Sequence, residues 1–121
     1  MALALDIMKG GVPAGMAKAL QGQVQATVTA AGTTQSDATD LVSSINVVTT
    51  ATADQGVQIP NAEVADEVEI CNISGAVIRV YPPTSGQIND LPANIHMFLA
   101  DNTAVKLKKF TATRWMGFLS A

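Results

Sequence analysis

The chain is short of the residues that chemistry usually needs. Its 121 residues hold one cysteine, Cys71, and one histidine, His96. A single cysteine excludes an internal disulfide and a multi-cysteine zinc site. A single histidine excludes two-histidine metal ligation and paired-histidine catalysis within one chain. Cys71 reads as a small buried hydrophobe, because nearby Glu69 opposes the electropositive setting a reactive thiolate requires. Charge is also scarce: charged residues make up 14% of the chain, against about 25% in ordinary domains. Uncharged Thr, Ser, Asn and Gln, or contacts between subunits, must therefore cover much of the surface. The net charge of −3 disfavours a nucleic-acid groove. No apolar run approaches the roughly 18 residues of a membrane-spanning helix. The opening MALALDIMKGG lacks a basic start, and Asp6 and Lys9 interrupt it, so it does not read as a secretion signal. On that reading the sequon Asn72-Ile73-Ser74 is coincidental.

What is present is β pattern. From Gly56 to Leu119, short β-branched and apolar runs alternate with Gly, Pro, Asn and Asp, the signature of a meander of short antiparallel strands. The length suits one domain. Residues 1–22 read as an N-terminal arm and residues 23–121 as the β domain. In the arm, Leu3, Leu5, Ile7, Val12, Met16 and Leu20 are apolar, and Gly10-Gly11-Val12-Pro13 breaks any regular element. Such a segment is suited to docking on a partner.

Along the domain, Val24, Ala26 and Val28 alternate with polar residues and predict a half-buried strand over 23–31. Residues 33–46 predict a short helix. Thr34 or Ser36 would cap it, Asp37 and Asp40 would sit in its first turn, and Ala38, Leu41, Val42 and Ile45 would form its apolar stripe. Val47 to Ala53 predicts a strand, and Val57 to Ile59 a short one that Pro60 closes. Asp66 to Tyr81 predicts a hairpin. There Ile70 would lie opposite Ile78, Val68 opposite Val80 and Glu69 opposite Arg79, with Gly75 in the left-handed position of a three-residue loop. Glu63, Asp66, Glu67 and Glu69 read as a solvated acidic edge that discourages pairing with other strands. Ile95 to Ala100 and Arg114 to Leu119 carry apolar residues on both faces, so each needs a second cover. A sister subunit is the simplest source, with Phe98, Trp115 and Phe118 as the interface; the alternative is that the two faces serve two packed sheets and the helix. Lys106, Lys108, Lys109 and Arg114 form a basic cluster. It reads as a solvated face, or as contact with an acidic surface such as the glutamate-rich segment of a neighbouring subunit.

The order of several segments carries a resemblance: TAAGTTQSDATDL, INVVTT, GVQIPNAEVADEVEICN, VYPPTSGQINDLPAN and a late tryptophan. Together these resemble small structural proteins of tailed-bacteriophage virions, the capsid decoration or cement proteins and fibre modules. The matching features are Ile59-Pro60 (Ile where the group tends to have Leu), Val80-Tyr81-Pro82, Gly86-Gln87-Ile88-Asn89 with Leu91, and Trp115. The leader VPAGMAKAL also fits, and the match spans most of residues 10–119. The resemblance implies an all-β fold, a small antiparallel β-sandwich or barrel-like domain with one short helix and an extended arm. It implies a homotrimer bound to the major capsid protein on the outside of the shell, made in the host cytoplasm, with no cofactor, nucleic-acid or membrane partner and no catalysis. The alternative is a tail- or fibre-associated module that binds host glycans.

Overall fold

The computed structural model describes residues 24–120, which form ten strands. The arm residues Leu3, Leu5, Ile7, Val12, Met16 and Leu20 lie outside the described residues. The strands are β1 Val24–Thr29, β2 Thr39–Asp40, β3 Ile45–Thr50, β4 Gly56–Gln58, β5 Glu67–Asn72, β6 Ile78–Tyr81, β7 Gln87–Ile88, β8 Met97–Leu99, β9 Thr103–Lys109 and β10 Arg114–Leu119. They make a six-stranded sheet in the order β1-β3-β5-β9-β10-β7 and a four-stranded sheet in the order β2-β4-β6-β8.

The domain is all-β, but its winding differs from the antiparallel sandwich or barrel expected. From β1 to β6 the chain passes from one sheet to the other at every step. Each strand then lands parallel to the one two before it: β1 beside β3, β3 beside β5, β2 beside β4, and β4 beside β6. That is a solenoid-like arrangement of coils. Apart from a single antiparallel bridge between Ala31 and Gly56, antiparallel pairing enters only afterwards, where β8 returns beside β6, β9 beside β5 and β10 beside β9.

The Asp66–Tyr81 hairpin is therefore replaced by a crossover. The side-chain alternation holds: Val68, Ile70, Ile78 and Val80 are all buried. They do not pair as neighbours, since β5 and β6 belong to different sheets. The turn explains why. Asn72 is fully buried, and its Nδ2 donates to Ala76 O at 2.8 Å and to Leu99 O at 3.0 Å. Its Oδ1 accepts from Ser74 N at 3.1 Å and Ser74 Oγ at 2.7 Å. This Asx turn holds the chain to its corner, while Ile73 N still donates to Val48 O on the preceding coil. Gly75 does occupy the left-handed region, at φ +88°, and its N–H donates to Asp101 Oδ1. Glu69 and Arg79 accordingly lie in separate sheets, and Glu69 is in register with Lys106 instead.

The helix expected over 33–46 is also absent, and no helix occurs among the described residues. Asp37 Oδ1 accepts from Thr34 N at 2.8 Å and Thr34 Oγ1 at 2.7 Å, which closes a tight turn rather than opening a helix. These hydrogen bonds hold the Asp37 carboxyl below the usual carboxylate range. Extended backbone follows, and neighbouring side chains part: Leu41 is buried while Val42 is 76% exposed. The stripe that counted them on one side fails for that reason. In β1 only Val28 is buried. Val24 is 63% exposed, because the register with β3 shifts between Gln25 and Val28.

The core fills the space between the sheets. Val48, Ile70, Val105, Leu107 and Trp115 enter from the larger sheet, and Val57, Ile78, Val80 and Leu99 from the smaller. Each such side chain, fully buried, stabilises the fold by about 1.5–3 kcal/mol before entropy is counted.

Candidate interaction faces

The late strands are two-sided, as their sequence requires. In β8, Met97 and Leu99 point into the core and Phe98 points out, 55% exposed. In β10, Trp115 points in, whereas Phe118 is 59% exposed. The inner cover is the chain's own opposing sheet. Of the three residues expected at a subunit interface, Trp115 is thus an internal core residue with 0% exposure. Phe98 and Phe118 remain at the surface, but on the outer faces of different sheets. The molecule thus exposes a phenylalanine on each of two outer faces that point in opposite directions, and one flat contact cannot bury both.

On the smaller sheet the rings form a chain of edge contacts. His96 lies between Tyr81 and Phe98, with ring centroids 5.1 and 4.8 Å away and interplanar angles of 60° and 84°. Both geometries are the edge-to-face kind that aromatic quadrupoles favour. Arg79 Cζ sits 6.0 Å from the Phe98 centroid. Its Nη1 and the Tyr81 hydroxyl both donate to Thr33 O at 2.9 Å, tying this face to the turn before β2. The position of Tyr81 depends on Gly56, where a Cβ would lie 2.7 Å from the Tyr81 ring. Burial first, and the Arg79 charge second, push the His96 imidazole below its ordinary pKa.

On the larger sheet the outer residues read across the strands in register. Ile45 lies beside Glu69, Glu69 beside Lys106, and Lys106 beside Phe118. Glu67, Lys108 and Met116 make the next row. Lys106 and Lys108 are exposed as alternation predicts, whereas Lys109 turns inward and donates from Nζ to Ala62 O. The acidic strand is thus already the neighbour of the basic one within a single chain, and Lys106 meets Glu67 at 3.1 Å. Cys71 on the same face is half-buried. Burial, and then Glu69, push its thiol up, which opposes a reactive thiolate.

Among the described residues, no group of three or more His, Cys, Asp or Glu side chains gathers as a metal site. Arg114 is committed to structure, donating from Nε to Asn89 O and from Nη2 to Asp90. Compared with known proteins, the chain matches no family model and no curated protein.

The residues that sequence reasoning undervalued are asparagines. Asn72 anchors the β5–β6 crossover. Asn89 Oδ1 accepts from Gly117 N, and Asn94 Oδ1 accepts from Ser85 N and Gln35 Nε2. Asn89, Asn94 and Asn102 all have positive φ. Their place in Asn-rich turns was the available signal, since asparagine tolerates the left-handed region and hydrogen-bonds its own loop.

Proposed function

We propose that this chain is a structural protein of a bacteriophage particle, which binds the outside of the capsid as a homotrimer and stabilises the shell. The observation that carries this reading is the pair of exposed rings, Phe98 and Phe118, on outer faces that point away from each other across a two-sheet body. Such a body can meet sister copies with both faces while the arm holds the shell. The order of segments shared with capsid decoration proteins supplies the class of partner. The work is binding. A trimer over a junction of shell subunits bridges them, and several weak contacts made together hold far more strongly than any one of them. The apolar residues of the arm, Leu3, Leu5, Ile7, Val12, Met16 and Leu20, are the proposed attachment, with Phe98 and Phe118 at the surfaces between copies.

The test is binding of the purified chain to capsids lacking it, read by co-sedimentation and by cryo-electron microscopy of the particle. Density on the capsid exterior at three-fold positions supports the proposal. Unchanged binding after deletion of residues 1–20 would remove the arm from it, and failure of the full chain to bind would end it.

The second reading is a tail- or fibre-associated module that binds host glycans, and the Arg79–Phe98–His96 group favours it. An exposed ring beside a guanidinium and an imidazole offers a stacking surface for a sugar with polar groups at its rim. A glycan array with wild type and Phe98→Ser separates the two readings.

A further inference from the structure

We infer that the outer face of the six-stranded sheet is self-complementary and pairs with the same face of a second copy about a two-fold axis. The sheet order β1-β3-β5-β9-β10-β7 has its midline between β5 and β9. An axis along that midline, parallel to the strands and lying in the contact plane, exchanges the two halves. It sets β5 of one copy over β9 of the other, and β3 over β10.

The register then decides what meets what. Ile45, Glu69, Lys106 and Phe118 lie in one row across the sheet. After the rotation, Lys106 of one copy faces Glu69 of the other, and Phe118 faces Ile45. In the next row Lys108 faces Glu67. In these rows each carboxylate meets an ammonium, and Phe118 meets Ile45. Rotation about an axis perpendicular to the strands would instead set β5 over β5 and β9 over β9, opposing like charges, and that cost selects the first arrangement. The contact is isologous, as a two-fold requires. Five strands about 4.8 Å apart and about 20 Å long, with the two-residue β7 at the edge, present roughly 500 Å² per copy, so the pair buries roughly 1,000 Å². That is the low end of specific interfaces, and reversible association follows. The inference does not depend on where the protein sits in a particle. Combined with a three-fold contact elsewhere, it gives six copies rather than three.

Sedimentation equilibrium and native mass spectrometry of the full chain test it, at low and high salt. The expected species are dimers, or hexamers if trimers form, and they loosen as salt rises. Lys106→Glu and Glu69→Lys should each weaken association about tenfold or more, while the double variant restores it. Phe118→Ser, at an exposed site that leaves the core intact, should weaken association as well and serves if a charge reversal fails to fold. A monomer at all concentrations overturns the inference. So does a trimer unchanged by these substitutions, or charge reversals that the double variant does not rescue.

Discussion

The Glu67 carboxylate meets Lys106 at 3.1 Å across β5 and β9, although Lys108, not Lys106, lies directly opposite it. Among the described residues, the diagonal contact leaves Glu69 and Lys108 outside any ion pair, although Glu69 sits beside Lys106. The face therefore keeps charge of both signs available to a partner while its own strands remain matched.

That pair makes a prediction of small size and definite sign. The hydrogen bond from Lys106 to Glu67 raises the lysine's pKa, so the contact favours the folded state wherever the amine is protonated in both states. Its contribution is complete below the unfolded lysine pKa and fades as pH climbs through the raised folded value. Lys106→Met should therefore lower Tm only slightly at neutral pH. The difference from wild type should shrink in high salt and in strongly alkaline buffer, as followed by circular dichroism.

Asn72 is the more consequential position. Its side chain is fully buried and satisfies two carbonyls, Ala76 O and Leu99 O, that join the crossover to β8. Asn72→Ala strands both carbonyls away from water. The expected loss is about 2–4 kcal/mol in urea unfolding, larger than for an exposed asparagine such as Asn61→Ala. The same burial answers the sequon: in the folded protein the Asn72 amide offers no access to a glycosylating enzyme.

How much was legible follows from where the information resides. Side-chain alternation is a local property, and it correctly assigned Val68, Ile70, Ile78 and Val80 to the core. Strand pairing is not local. A tight hairpin and a solenoid crossover can carry the same alternation and the same Gly75. The choice between them rests on Asn72 reaching Leu99, 27 residues away. The helix over 33–46 failed for a related reason. Thr34 and Asp37 match a helix start, but the same Thr–Asp hydrogen bonds serve a turn when extended backbone follows. The exposed rings Phe98 and Phe118 were legible as residues needing a cover. Which face each belongs to was not, because that depends on sheet order.

His96 gives the protein a dependence on mild acid. Its imidazole is held below its ordinary pKa by burial and by Arg79, so the unfolded chain takes up the proton first. The neutral ring's contribution is present above an unfolded pKa near 6.5 and is lost as pH falls through the lower folded value. Wild type should lose thermal stability across that acidic window more steeply than His96→Gln. The substitution should also loosen the Tyr81–His96–Phe98 contacts, seen as greater motion of the Phe98 ring by NMR.

Trp115 and Phe118 separate core from surface within one strand. Trp115 has 0% exposure and Phe118 59%, three residues apart in β10. Trp115→Ala opens a large cavity between the sheets and should cost about 3–5 kcal/mol. Trp115→Phe should cost much less, because the indole N–H has no hydrogen-bond partner among the described residues and its removal strands none of them. Phe118→Ser removes an exposed ring and should change stability within about 0.5 kcal/mol. The single tryptophan makes the comparison direct, since its emission should be blue-shifted in the folded chain and shift red on unfolding. If Phe118→Ser destabilised the isolated chain as much as Trp115→Ala, the assignment of Phe118 to an outer face would be wrong. If it left Tm in place but altered the oligomeric mass, the ring's contribution would lie between copies.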